Sequence, residues 1–143
     1  MVDSEGNGNP ETERGLILNS RILWTFSSLY IKDRDERFLS VADRAYSYIE
    51  DNFIDTVYGG AVYTVDNTGN WINEIKSIYA NSFLIYRLSE YVMATGNRSA
   101  LEHAKNTFLR LEEHAHDTLY GGYGEIYNRD WSPVTDSSIN EIG

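Results

Sequence analysis

The chain has 143 residues, 41% of them hydrophobic and 24% charged, which suits one domain with a modest core. Its formal net charge of -10 argues against a phosphate-backbone partner, because nucleic-acid affinity rests on lysine and arginine, and leaves neutral ligands as the natural class. Cysteine is absent, which rules out disulfides and thiolate metal sites; nothing points to an oxidising compartment, so the cytoplasm is the expected location. Residues 1–14 are polar and acidic, without the basic start and apolar run of a signal peptide, and no apolar stretch approaches the roughly 20 residues of a membrane span.

Apolar residues three to four apart predict a first helix over residues 16–30. It carries one cation, Arg21, inside Gly15-Leu16-Ile17-Leu18-Asn19-Ser20-Arg21-Ile22-Leu23-Trp24-Thr25-Phe26-Ser27. A guanidinium stays charged and loses its hydration if buried alone, so Arg21 is expected either to meet a buried carboxylate or to line a wet cavity. Asn19 points elsewhere at about 100° per residue and reads as structural. A second helix is expected over 36–53, with Asp33 and Glu36 as a candidate capping pair. Tyr58-Gly59-Gly60 then leads into a β-like run at 61–66, a turn at 67–70 and Trp71, the pattern of a short hairpin.

A third helix is predicted over 76–95, ended by Gly96, and a fourth over 100–116, with Ser99 and Glu102 as its capping box. Tyr120-Gly121-Gly122 opens a second β-like run at 123–127, ahead of Asp130-Trp131. The two halves repeat at an offset of 62 without a gap: Asn19-Ser20 falls on Asn81-Ser82, Asp55-Thr56 on Asp117-Thr118, and Tyr58-Gly59-Gly60 on Tyr120-Gly121-Gly122. The expected organisation is one incomplete domain, with a polar segment at 1–14, a first helix-helix-hairpin repeat at 15–75 and a second at 76–143.

The Arg21 segment closely resembles the arginine-bearing helix of the N-acylglucosamine 2-epimerase family, most of all its cellobiose 2-epimerase branch. Tyr58-Gly59-Gly60, Ile78-Tyr79-Ala80, Leu88-Ser89-Glu90-Tyr91, Tyr120-Gly121-Gly122 and Arg129-Asp130-Trp131-Ser132-Pro133 resemble family sequence in the same order. The resemblance implies an all-α fold, here a partial (α/α)6 barrel built as a toroid of helical hairpins. Family members are more than twice this length, so the chain reads as a fragment. It also implies an activity, inversion of carbon 2 of a sugar through an enediolate, with two histidines as acid and base. Those histidines belong to later helices, beyond the segment matching 134–143, so no catalytic residue is expected here and the isolated chain is expected to be inactive.

Two binding residues carry over from the resemblance: Arg21, whose fixed donors would meet the reducing-end oxygens, and Tyr79, which would face the sugar. The repeat counterpart of Arg21 is Phe83, so the fold itself does not require a cation there. The implied partner is a small-molecule sugar, with no nucleic acid, no membrane, no metal and no cofactor; apolar edges of an open ring suggest self-association. Among other candidates, Tyr63, Trp71, Tyr123, Tyr127 and Trp131 suit sugar stacking but also core packing. His103, His114 and His116 lack the spacing of a zinc site and read as surface or packing residues. Asp3, Glu5, Asn7 and Gly8 begin like a calcium loop, but the twelfth position is Arg14 instead of a bidentate glutamate. Two further readings stand beside the epimerase: a noncatalytic helical scaffold or sugar-binding module, and part of an (α/α)6 glycoside hydrolase.

Overall fold

In the computed structural model, which describes residues 13–117, 122–123 and 125–134, the apolar spacing becomes two helical hairpins. The first pairs α1 (Leu16–Asp33) with α2 (Glu36–Asn52), and the second pairs α3 (Ile78–Thr95) with α4 (Arg98–Arg110). Short strands flank them: β1 (Arg14–Gly15), β2 (Thr64–Val65), β3 (Trp71–Asn73), β4 (Lys76–Ser77), β5 (His116–Asp117), β6 (Gly122–Tyr123) and β7 (Ile126–Tyr127). A π-helical turn at Leu111–Ala115 follows α4. Tyr120 and Gly121, the start of the second Tyr-Gly-Gly, lie outside the described residues.

The offset of 62 holds in three dimensions. Both α1 and α3 are 18 residues long and begin 62 positions apart. β1 pairs with β2 as β4 pairs with β7, Arg14 opposite Val65 and Lys76 opposite Tyr127. The Ile54–Ala61 bridge recurs as the His116–Tyr123 pair. Each loop between helices is set by one residue in the left-handed region, Arg34 at φ 54° and Gly96 at φ 72°, followed by a cap whose side chain accepts a backbone N–H. Equivalent residues also touch across the hairpins. Trp24 stacks on Tyr86 at 6.4 Å, and Ser28 Oγ donates to Glu90 Oε2 at 2.6 Å. Contact between equivalent positions means that α1 and α3 run parallel and in register.

Several boundaries differ from the sequence expectation. The cap of α2 is Asp35, which accepts from Arg37 N at 2.9 Å, because α1 runs on through Asp33. The cap of α4 is Asn97, accepting from Ala100 N at 2.9 Å. Ser99 turns instead toward α2, where its hydroxyl donates to the Glu50 carboxylate. Lys76 is in a strand, and α3 starts after Ser77, whose hydroxyl accepts from Ala80 N at 3.1 Å. The second β-like run is no local hairpin: β6 pairs with β5, while β7 pairs with β4 ahead of α3.

The core lies between the parallel pair and the helices behind it, with Leu16, Leu23, Ile49, Phe53, Leu84 and Leu88 buried. One buried polar knot fixes the loops at the strand end. Lys76 and Asp55 are fully buried side chains paired at 3.0 Å. The ammonium also donates to Gly59 O at 2.7 Å and Arg129 O at 2.8 Å, so all three of its protons are used. Asp55 accepts from Arg129 Nε at 2.9 Å and from the backbone N–H of Val57 and Tyr58. Trp131 covers the knot, 4.9 Å from Lys76 Nζ, and donates through Nε1 to Tyr58 O at 2.8 Å. Gly60 is required beneath it: φ is +71°, and a Cβ there would stand 2.8 Å from the Trp131 ring.

Burial alone would raise the Asp55 pKa. The hydrogen bonds from Arg129, Tyr58, Lys76 and Val57 outweigh it and hold the carboxyl at about 2. A depressed carboxylate stabilises the fold above its unfolded pKa near 3.9, and that stabilisation is lost as pH falls toward 2. Asp55→Asn leaves the Lys76 charge buried with no counter-charge, and should cost about 3–5 kcal/mol in urea denaturation at pH 7. The gap between wild type and variant should narrow by roughly 2 kcal/mol as pH falls from 4 to 2. A loss under about 1 kcal/mol at pH 7 would remove the knot from its central role.

Candidate functional site

Arg21 sits in the second turn of α1 and is exposed. Phe26, five residues on, packs against Phe38 of α2 at 6.1 Å, and five residues turn a helix by about 500°, so Arg21 lies on the flank away from α2. Trp24 and Ser28, on the same side, reach Tyr86 and Glu90 of α3. Among the described residues no carboxylate pairs with Arg21. Asn19 is structural: its Nδ2 donates to Gly15 O at 2.8 Å, as the repeat counterpart Asn81 donates to Ser77 O at 2.9 Å.

Tyr79 stands in the first turn of α3 with 63% of its surface exposed. Phe83, noted above only as the repeat counterpart of Arg21, and Arg87, which sequence reasoning passed over, link it to the Arg21 flank. Its ring packs on Phe83 at 4.7 Å, and the Arg87 guanidinium lies 4.6 Å from the Phe83 ring. Arg87 Nη1 crosses to α1, donating to Ile17 O at 2.7 Å and Ser20 Oγ at 2.8 Å. Ile17 is one turn before Arg21 on the same face of α1. Burial pushes the Arg87 pKa down, and the charge of Arg21 pushes it the same way. The repeat sets Arg87 opposite Thr25, but many positions of the two copies pair a cation with a neutral residue, so the sequence alone did not single it out.

The remaining candidates are engaged elsewhere. His103 Nε2 lies 2.9 Å from Glu50 Oε2 between α2 and α4, beside the Tyr46 hydroxyl at 2.8 Å from the same oxygen. His114 stacks on Trp131 at 5.9 Å, and His116 pairs through its backbone in β5. Trp71 covers Arg129 at 4.7 Å and donates to Asn52 O, while Trp131 closes the buried knot. Among the described residues no group of three or more histidine or carboxylate side chains is arranged to hold a metal ion. No helix of the described residues is long and apolar enough to cross a membrane.

The family model for N-acylglucosamine 2-epimerase matches residues 1–140. The chain belongs to this family. It is 37% identical to the cellobiose 2-epimerase of Bacteroides fragilis over 152 residues, covering 99% of this chain and 39% of that protein. The cellobiose 2-epimerase of Bacillus thermoamylovorans B4167 superposes with a TM-score of 0.90 at 30% identity, covering 99% of this chain and 37% of that one. That of Spirochaeta thermophila superposes with a TM-score of 0.86 at 32% identity, over 90% of this chain and 32% of the other. The two hairpins are therefore part of an (α/α)6 barrel, and the chain spans about two fifths or less of the length of the relatives it matches.

Arg21 and Arg87 differ in what the fold asks of them. Arg21→Met should change unfolding free energy by no more than about 0.5 kcal/mol, as for a surface side chain without partners. Arg87→Ala should cost about 1.5–3 kcal/mol through its lost charged hydrogen bonds to α1. Equal losses in urea titrations of the two variants would show that Arg21 is held by contacts as much as Arg87 is.

Proposed function

We propose that this chain supplies the binding wall of a sugar 2-epimerase, which inverts carbon 2 of an aldose at a reducing end by removing the carbon 2 proton and returning one to the opposite face. The substrate class is a cellobiose-type disaccharide, an N-acylglucosamine or mannose. The observation that carries the reading is Arg21, an exposed guanidinium without a carboxylate partner among the described residues, placed on the flank of α1 that meets α3. Membership of the N-acylglucosamine 2-epimerase family supports it.

In this reading the carbon 1 oxygen gains negative charge when the carbon 2 proton leaves, and the Arg21 fork stabilises that charge through paired N–H donors. Tyr79 offers a ring face and a hydroxyl to the sugar. Proton removal and return belong to histidines of later helices. His103 and His114 are committed to Glu50 and to the Trp131 face, which fits their absence from the chemistry. The proposed location is the cytoplasm.

Two outcomes test this. Cellobiose, mannose or N-acetylglucosamine added to the chain should shift the NMR signals of Arg21 and Tyr79, with no exchange of the carbon 2 proton in deuterated water beyond background. Signals unmoved at both residues would defeat the binding role; sugar-dependent exchange abolished by substituting His103, His114 or His116 would place the chemistry in this chain. The apolar flanks are also proposed to associate, since Leu18, Tyr86, Phe108 and Leu109 are each more than half exposed. Sedimentation should show concentration-dependent oligomers that Phe108→Lys with Leu109→Lys disperses; a monodisperse wild-type chain would refute it.

A further inference from the structure

We propose that Arg87 and Arg21 together make an anion site, one that takes a carboxylate at the reducing end of a sugar acid, an aldonate, in preference to the neutral sugar. The inference rests on the reading of the Arg21 flank as a sugar-binding wall and deepens it by adding a second cation and a ligand class.

Arg87 is nine-tenths buried. An arginine with so little surface in solvent ordinarily meets a carboxylate, because neutral hydrogen bonds only partly offset the lost hydration of its charge. None meets Arg87 among the described residues. Its partners are neutral, Ile17 O and Ser20 Oγ, and both bonds use Nη1. That leaves Nε and Nη2 without a partner among the described residues. The two contacts fix the head group against the first turn of α1, where the backbone N–H groups add positive potential. Neither α1 nor α3 has an acidic residue in its first turn to offset it. One turn on, the same face carries Arg21, also without a carboxylate. Two cations and a helix start converge here in a chain of net charge -10.

What would neutralise this arrangement is a planar anion able to accept N–H donors from both forks. The enediolate of the proposed reaction is one such group, formed only in passing. An aldonate is a stable counterpart, since its carbon 1 carboxylate sets charged oxygens where the enediolate has its carbon 1 oxygen. The phenyl ring of Phe83 against Arg87 holds the fork while keeping water off one of its faces.

The test compares gluconate with glucitol, the same carbon chain without the charge, binding to the 143-residue chain by calorimetry. Gluconate should bind at least about tenfold more tightly. Arg87→Met should bring the two ligands within about twofold of each other, Arg87→Lys should retain part of the preference, and Lys105→Met, an exposed charge on α4, should leave it intact. Circular dichroism checks that each variant folds. If Arg87→Met does not, Arg87→Lys and the salt dependence of gluconate binding to the wild-type chain decide, and a preference indifferent to both refutes the proposal. Equal binding of gluconate and glucitol, or a preference surviving Arg87→Met in a folded chain, also refutes it. Sugar-induced shifts at Arg21 and Tyr79 without a gluconate preference would sink this inference and leave the sugar wall standing. An Arg87-dependent preference with no response to neutral sugars would do the reverse.

Discussion

The buried pair of Asp55 and Lys76 is the constraint on which the arrangement of the two repeats depends. Lys76 opens the second repeat, Asp55 ends the helical part of the first, and Arg129 reaches back from beyond β7. Three segments distant in sequence are thus tied at one point in a low dielectric, where an unpaired charge would be costly and a fully hydrogen-bonded one is tolerated. The knot also explains the local chemistry of its loop. Gly60 has to accept the Trp131 ring, and Asp55 has to gather the Val57 and Tyr58 N–H groups.

Holding β4 in place holds the start of α3. The flank shared by α1 and α3 then follows from parallel, in-register packing, with Trp24 on Tyr86 and Ser28 bonded to Glu90. Near the starts of those helices the stripe changes character, from matched pairs to Arg21, Phe83, Arg87 and Tyr79. Two cations without a counterpart in the other repeat, Arg21 opposite Phe83 and Arg87 opposite Thr25, lie within about one turn of each other across the helix pair. That asymmetry is the physical basis of the proposed site.

Much of the architecture was legible because helices and their repetition are encoded locally. Apolar spacing located four helices, and the ungapped offset anticipated that α1 and α3 would match. The caps were less legible. Ser99 has the composition of a capping residue but is drawn off by Glu50 on another helix, and Asn97, two residues earlier, takes the role. Arg21 and Tyr79 were named from the resemblance, whereas Arg87 was not, because nothing in a linear pattern distinguishes a solvated arginine from one that crosses to a neighbouring helix.

The sequence by itself determined the period of 62, the amphipathic faces and the family, since each depends on residue type at short spacing or on the order of motifs. Only the tertiary structure decided that β7 closes onto β4, that Lys76 is a buried strand residue bonded to Asp55, and that Arg87 rests on Ile17 and Ser20. These contacts join residues 21 to 70 positions apart. Which long-range partner a strand or a charge selects depends on the burial and packing that surround it once the chain has folded, and no local pattern carries that information.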